Sequence, residues 1–168
     1  ETVKKFVALG FQVAVQSGAG EGSRIQDSQY QDAGATLANS SDAAVKDADV
    51  VLRVRRPSPV EAAKFKKGAV VIATMDPIGH EAEIDALAKA KVNAFSMEFM
   101  PRITRAQVMD VLSSQANLAG YQAVVDAAEQ YDHAMPMMMT AAGTISPAKA
   151  FIMGAGVAGL QAIATARR

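Results

Sequence analysis

Apolar residues recur at two different spacings in the first part of this chain, and the two spacings alternate. Val3, Phe6 and Val7 follow the helical period and precede Gly10, a residue typical of a helix end. Short continuous apolar runs are typical of strands buried on both faces of a parallel sheet. Strands that alternate with helices in this way predict an α/β, Rossmann-like fold with a helix-covered parallel sheet. The predicted strands are residues 11–15, 49–54, 69–74 and 92–97, and the predicted helices are residues 2–9, 27–33, 41–46, 60–65 and 81–90.

A longer helical pattern begins after residue 102. The pattern predicts a single helix over residues 103–131, which begins at a capping box of Thr104 and Gln107 and joins two domains. No charged residue occurs between Asp110 and Asp126, so this helix is predicted to be largely buried. One face carries a polar stripe, defined as residues 107, 110, 114, 117 and 121. Because buried polar groups need partners, the polar stripe predicts either hydrogen bonds between helices or protomers, or contacts to a polar ligand.

Three glycines occupy the spacing G-x-G-x-x-G in residues 150–159, which read A-F-I-M-G-A-G-V-A-G. Residues 149–153 are predicted to form a strand, so the glycines lie where a strand turns into a helix. In dinucleotide-binding units this turn brings backbone N–H groups to a pyrophosphate at the amino end of the helix. The backbone groups expected to contact the pyrophosphate are those of Gly154, Gly156, Val157 and Ala158.

The acidic residue that holds the ribose in such a unit follows the glycines by about 20 positions. The sequence ends at Arg168, before that position is reached. We therefore expect this chain to be the front portion of a larger nucleotide-binding protein, and to show no turnover by itself.

Charge and composition exclude several classes of partner. Seventeen basic and seventeen acidic residues give zero net charge, which removes a general electrostatic reason to bind nucleic acid or anionic lipid. The chain has no cysteine, so disulfides and thiolate zinc sites are excluded, and its carboxylates lack metal-ligand spacing. No apolar run reaches about 18 residues. We predict no metal site, no nucleic-acid partner and no membrane span.

Three segments together resemble the NAD(H)-binding α subunits of the proton-translocating nicotinamide nucleotide transhydrogenases, in the alanine dehydrogenase/transhydrogenase family. They read M-E-F-M-P-R-I-T-R-A-Q-V-M-D from residue 97, P-M-M-M-T-A-A-G from residue 136 and G-A-G-V-A-G-L from residue 154. The similarity extends over essentially the whole chain and is looser before residue 92. In that family the first segment forms a loop at the nicotinamide end of NAD(H), with a serine just beyond it, which implies this role for Arg102, Ile103, Gln107, Asp110 and Ser113.

The resemblance also implies an organisation and an activity. Residues 1–113 would form an N-terminal α/β domain, 114–144 a linking helix and loop, and 145–168 the truncated start of an NAD-binding Rossmann domain. NAD(H) would exchange hydride with NADP(H) on a partner domain, and separate membrane domains would couple this exchange to proton translocation. The protein would be a cytoplasmic homodimer, peripheral to the inner membrane through its partner subunits.

Hydride transfer between two nicotinamides leaves no group that needs a proton, so the protein mainly has to orient the cofactors and exclude water. No catalytic residue is therefore predicted. The two histidines, His80 and His133, are expected at the surface or at helix ends rather than as general bases.

Two other functions remain open. A soluble amino-acid dehydrogenase of the alanine type needs a cation for the substrate carboxylate and an acid–base group. In that family a lysine in the segment corresponding to residues 53–57 and a histidine after the next strand serve the substrate. This chain has R-V-R-R-P and then T-M-D at those places, with His80 displaced, which argues against that activity. The third hypothesis is a dimerising or regulatory α/β module without nucleotide affinity.

Overall fold

The computed structural model describes residues 1–167, which fall into two compact units, residues 1–99 and residues 100–167. The first unit alternates helices and strands along its whole length, as the apolar pattern predicts. The division into residues 1–113, 114–144 and 145–168 stays a prediction. The helices of the first unit are α1 (Thr2–Ala8), α2 (Asp27–Asp32), α3 (Ser41–Val45), α4 (Pro59–Ala62) and α5 (Glu81–Lys89), and its strands are β1 (Ala14–Gln16), β2 (Thr36–Ala38), β3 (Val50–Arg55), β4 (Val70–Thr74) and β5 (Asn93–Ser96).

All strand pairs of the first unit are parallel. Strand β4 lies between β3 and β5, with Val71 opposite Val51 and Ile72 opposite Phe95. Strands β1 and β2 form a second, two-stranded sheet. The predicted α/β class with parallel strands is confirmed, although the strands lie in two sheets. Strand β2 was not predicted, because a strand of three residues carries too little apolar periodicity to be recognised.

The core of the first unit surrounds β4. Val71 and Ala73 are almost fully buried, as expected for alternate positions of a strand covered by helices. Leu87 of α5 packs into the same cluster. Burial of these side chains supplies the main stabilising free energy of the unit. The buried members of the cluster are Val51, Ala62, Phe65, Val71, Ala73, Met75 and Leu87.

The second unit contains two long helices and a hairpin. Its elements are a 3₁₀ helix (Thr104–Met109), α6 (Val111–Gln130), β6 (Met138–Thr140), β7 (Gly143–Ile145) and α7 (Val157–Ala166). Strands β6 and β7 pair antiparallel, where the sequence predicted only a loop. The predicted strand at 149–153 is wrong for the part of the chain described, since no strand is assigned there. A strand exists only through pairing, and no segment within residues 1–167 pairs with this stretch.

The predicted helix 103–131 is interrupted, and its predicted capping box is wrong. Thr104 and Gln107 lie inside the 3₁₀ helix, and α6 begins only after Asp110. Asp110 has non-helical backbone angles (φ −76°, ψ 88°), and its carboxylate accepts a hydrogen bond from the Ser113 N–H. An aspartate in this arrangement ends one helix and caps the next.

Helix α6 is also less buried than predicted. Only Gly120 of this helix is buried within residues 1–167, whereas Leu118 is 58% exposed and Tyr121 is 50% exposed. The absence of charged residues between Asp110 and Asp126 therefore does not reflect burial by the described part of the chain. No helix within residues 1–167 has the length and apolar character needed to cross a bilayer.

Candidate functional site

All nine residues predicted to bind a nucleotide lie in the second unit. They form two groups, one leading into the amino end of α6 and one at the amino end of α7. The first group, called here the α6 entry, is Arg102, Ile103, Gln107, Asp110 and Ser113. The second group is Gly154, Gly156, Val157 and Ala158. These four residues together with Gly159 are called here the glycine turn.

The α6 entry is organised around Asp110. One carboxylate oxygen of Asp110 accepts the Ser113 N–H at 3.0 Å, and the other accepts the Ser113 hydroxyl at 2.7 Å. The hydrogen bond from the Ser113 backbone, that from its hydroxyl and the charge of Arg102 lower the pKa of Asp110 below its ordinary value. Asp110 is therefore ionised at neutral pH and holds the Ser113 side chain in one orientation.

This arrangement leaves a defined set of groups at the surface. Because the Ser113 hydroxyl donates its hydrogen to Asp110, its oxygen remains available as an acceptor. Arg102, Ile103 and Gln107 are exposed. The α6 entry thus presents a cation, an amide, an oriented hydroxyl and a carboxylate, which is a set suited to a polar ligand that both donates and accepts hydrogen bonds.

The glycine turn leads into α7 as its sequence predicts, although no strand directly precedes it within residues 1–167. Gly154 has φ of 102°, in the region where a side chain is strained. A Cβ at Gly159 would lie 2.0 Å from the Gly154 carbonyl oxygen, so the turn closes tightly on itself. Gly156 precedes α7 in an extended conformation, and its carbonyl accepts the Leu160 N–H at 2.9 Å.

The space in front of the glycine turn suits an anion. A Cβ atom built at Gly156 would have no atom of residues 1–167 within 4 Å, and no side chain in this part of the chain caps α7. The first N–H groups of an α-helix have no partners inside the helix, and the helix dipole favours negative charge at this end. A pyrophosphate fits both the open space and these donors.

Helices α6 and α7 pack against each other, and two of their contacts lie next to the candidate site. A Cβ at Gly120 would lie 2.1 Å from the Ala158 carbonyl oxygen, so the two backbones approach very closely. The Asn117 amide nitrogen donates to the Gln161 side-chain oxygen at 3.2 Å. For Asn117, a member of the polar stripe, the structure shows the interhelical hydrogen bond that was one of its two predicted roles. Gly120 and Gln161 are not among the predicted site residues, and the signal for Gly120 was an isolated glycine inside a helical pattern.

A separate polar cluster lies in the first unit, at the carboxyl ends of β3 and β4. The Arg56 guanidinium lies 3.5 Å from the Asp76 carboxylate and 3.9 Å from that of Glu83, and it donates to the Met75 carbonyl at 3.3 Å. The His80 ring nitrogen is 2.8 Å from the Asp76 carbonyl oxygen. Arg56 is thus already engaged by two carboxylates, an unfavourable setting for a substrate carboxylate.

Metal binding has no support in the described part of the chain. Residues 1–167 contain no group of three or more His, Asp and Glu side chains placed to hold a metal ion.

Comparison with known proteins places the chain in a family. The alanine dehydrogenase/PNT N-terminal domain model matches residues 1–119, and the C-terminal domain model of the same family matches residues 123–168. The chain belongs to the alanine dehydrogenase/PNT family. The resemblance seen in the three sequence segments is confirmed.

Relatives within the alanine dehydrogenase/PNT family differ in how similar they are. The chain is 51% identical over 173 aligned positions to an NAD(P) transhydrogenase subunit alpha protein of Rhodospirillum rubrum, covering 100% of this chain and 45% of that protein. It is 28% identical over 163 positions to the alanine dehydrogenase of Mycobacterium tuberculosis, covering 95% of this chain and 43% of that protein. The chain spans about half the length of the curated relatives it matches.

Solved structures agree with the fold. A transhydrogenase from Sinorhizobium meliloti superposes with a TM-score of 0.94 at 64% identity, over 99% of this chain and 49% of that chain. An L-alanine dehydrogenase superposes with a TM-score of 0.84 at 22% identity, over 99% of this chain and 46% of that chain. The second similarity concerns the fold alone, and it confirms the predicted α/β, Rossmann-like class.

Proposed function

We propose that this chain is the NAD(H)-binding component of a proton-translocating transhydrogenase, in which NAD(H) exchanges hydride with NADP(H) on a partner domain. Separate membrane domains would couple the exchange to proton translocation, and the chain would lie in the cytoplasm, peripheral to the inner membrane. The observation that carries this proposal is the packing of α6 against α7, because this contact holds the α6 entry and the glycine turn in one unit. The transhydrogenase relatives support it, since they are more similar than the alanine dehydrogenases.

The residues present fit NAD(H) at both ends. Backbone N–H groups of Gly156, Val157 and Ala158 would hold the pyrophosphate, with Gly154 allowing the chain to turn in front of it. Gln107 and the oriented oxygen of Ser113 would pair with the nicotinamide carboxamide, which both donates and accepts hydrogen bonds. Bound in this way, the nicotinamide supplies the hydride chemistry.

Charge at the α6 entry would favour the oxidised cofactor. The ionised Asp110 carboxylate would attract a positive nicotinamide ring. Ile103 would border the ring, and Arg102 would stabilise the Asp110 carboxylate and position the loop rather than face the ring. The chain's own contribution to the reaction is to bind, orient and shield the cofactor rather than to move a proton.

The alanine-type dehydrogenase is disfavoured by the cluster around Arg56. An enzyme for a 2-oxo acid needs a cation that is free to meet the substrate carboxylate. Arg56 is engaged by Asp76 and Glu83, and His80 is held against backbone. This region therefore supports the transhydrogenase proposal.

A homodimer is also proposed. Exposed apolar side chains occur along α6 and on the β6–β7 hairpin, including Leu118, Tyr121 and Met139. Apolar surface of this kind is typical of a protein–protein interface. A second copy of the chain would bury some of it.

The decisive experiment is a fluorescence titration of the full-length protein with NADH, comparing Gln107→Ala and Asp110→Ala with the unchanged protein. Gln115→Ala is a matched control, because Gln115 is an exposed glutamine of α6 outside the α6 entry. We expect at least about tenfold weaker NADH binding for the two site variants and no change for the control. Hydride exchange should appear only when the NADP(H)-binding partner domain is added.

Other results would overturn the proposal. Oxidation of an amino acid without the partner domain would establish the dehydrogenase function instead. A dimer that does not bind NADH would leave the α/β interaction module as the function.

A further inference from the structure

We propose that Gly120 is a positioning residue for the dinucleotide site. Because glycine has no Cβ atom, α6 can approach the glycine turn closely at this position. The inference deepens the proposed NAD(H)-binding function and rests on it. Gly120 lies in the middle of α6 and belongs to neither group of predicted ligand contacts. Its effect on the ligand would be exerted through Ala158.

The contact at Gly120 is between two backbones. A Cβ built there would lie 2.1 Å from the Ala158 carbonyl oxygen, 2.9 Å from its carbonyl carbon and 3.0 Å from its Cα. Carbon atoms in contact are normally about 3.5–4.0 Å apart. Because these atoms belong to backbone and not to a flexible side chain, α7 would have to move away by roughly 1 Å or more to admit a methyl group.

Backbone conformation gives no other reason for a glycine at this position. Gly120 lies within the α-helix Val111–Gln130, where any residue type adopts the required angles. Glycine inside a helix is destabilising relative to alanine. Its presence is explained by the close approach to Ala158, which alanine would prevent.

The contact lies at the end of α7 that matters for the ligand. Ala158 is the second residue of α7 and one of the residues proposed to face the pyrophosphate. Asn117, about one turn before Gly120, holds the next turn of α7 through Gln161. Together the two contacts attach the amino end of α7 to the middle of α6.

This attachment sets the separation between the two halves of the site. Ser113 and Gly120 are seven residues apart, or about 10 Å along the axis of α6. A single ribose links the nicotinamide of NAD(H) to its pyrophosphate, so the ligand has little freedom to follow a displaced glycine turn. Misplacement of roughly 1 Å in such a site is enough to cost a large factor in function.

The test compares two ligands on Gly120→Ala in the full-length protein. NADH would contact both the α6 entry and the glycine turn, whereas ADP-ribose lacks the nicotinamide and would contact the glycine turn without the α6 entry. We expect the Kd of NADH to rise by about tenfold or more and that of ADP-ribose to change by less than about threefold. The ratio of the two Kd values is a readout that general damage to the fold would not move.

Two further variants complete the experiment. Gly22→Ala is the matched control, because a Cβ at Gly22 would meet no described atom within 4 Å, and both affinities should stay unchanged. Asn117→Ala removes the hydrogen bond to Gln161 without adding a methyl group at the contact. It should raise the Kd ratio by about two- to fivefold, and it carries the test if Gly120→Ala does not fold.

The outcomes separate this inference from the proposed function. Equal weakening of NADH and ADP-ribose, or no change in either, in Gly120→Ala would overturn the positioning role while leaving NAD(H) binding intact. An unchanged Kd ratio in Asn117→Ala would do the same where Gly120→Ala is unfolded. Failure of the unchanged protein to bind NADH would defeat the proposed function and the inference with it.

Discussion

The first unit, residues 1–99, is built around large apolar side chains, whereas the second, residues 100–167, joins its helices through glycine and alanine. In the first unit Val71, Met75 and Leu87 are buried beside the central strand. In the second unit the buried residues within the described part are Ala106, Gly120 and Ala162. Leu112, Leu118 and Tyr121 of α6 are exposed. The first unit should therefore be sensitive to loss of volume, and the second to its addition.

The difference also separates stability from binding. Apolar burial holds the parallel sheet of the first unit together without fixing any ligand geometry. Close backbone contact in the second unit fixes the position of a helix terminus that is proposed to bind a nucleotide. Substitutions that lose volume and substitutions that add volume thus test two different properties of the protein.

The largest effect is expected for Leu87→Ala. Leu87 is 2% exposed and packs in the β4 core, so its truncation leaves a cavity. The free energy of unfolding should fall by about 2–5 kcal/mol, measured by urea denaturation followed by circular dichroism. Val54→Ala serves as control, since Val54 is 82% exposed. Equal effects of the two substitutions would contradict the position assigned to the core.

A smaller effect is expected for Gly159→Ala in the second unit. The new methyl group would collide with the Gly154 carbonyl oxygen, 2.0 Å from the Cβ position. Such overpacking should reduce the free energy of unfolding by about 1–3 kcal/mol, which thermal denaturation would measure. It should also weaken NADH binding. Unchanged stability and affinity would show that the glycine turn can open without cost. Gly22→Ala, with open space at its Cβ, provides the comparison.

Glu98→Gln tests an electrostatic contact of the first unit. Burial acts to raise the pKa of Glu98, but hydrogen bonds from the Ser96 hydroxyl and from the Asp76 and Met75 N–H groups outweigh it and lower the pKa to about 2. A depressed pKa stabilises the folded state above the unfolded pKa, here the ordinary value of 4.5.

We expect this stabilisation to be lost as the pH falls from about 4.5 to about 2, and to amount to about 1 kcal/mol after screening by solvent. In urea denaturation at several pH values, Glu98→Gln should be less stable than the unchanged protein at neutral pH, and the difference should shrink over this interval. A difference independent of pH would mean that ionisation of Glu98 does not stabilise the fold. Asp32→Asn, an exposed carboxylate substitution, controls for net charge.

The smallest effect is expected for Leu118→Ala, the counterpart of Leu87→Ala in the second unit. Leu118 is 58% exposed, so the free energy of unfolding of the isolated chain should change by less than about 0.5 kcal/mol. Thermal denaturation of residues 1–168 measures this directly. A loss as large as that of Leu87→Ala would show that an apolar surface covers α6 in solution, and sedimentation would then reveal whether it belongs to a second copy.

Local patterns predicted most of the first unit. The run at 69–74 became β4 (Val70–Thr74), and the helical pattern at 81–90 became α5 (Glu81–Lys89), because apolar residues of both segments, such as Val71 and Leu87, pack in the core. Strand β2 escaped prediction since three residues carry too little of that signal. The G-x-G-x-x-G spacing likewise predicted the turn at Gly154 and the helix that follows.

Elements that depend on distant contacts or on competing caps could not be read from the sequence in the same way. Thr104 and Gln107 matched a capping box, yet Asp110 ends the first helix because its carboxylate binds Ser113. The predicted strand at 149–153 has a suitable composition but no pairing partner within residues 1–167. Local propensity identified candidates here, and hydrogen-bonding partners decided between them.

The sequence by itself determined the α/β class, the family and the residues that are candidates to bind a nucleotide, because these are recorded in periodicity and short motifs. Only the tertiary structure decided that Asn117 bonds Gln161 and that Gly120 lies against Ala158. These contacts join residues about 40 positions apart, and a glycine or an asparagine inside a helix does not show in the sequence what it will meet. The partner is set by how two helices pack, which depends on the shapes of both surfaces.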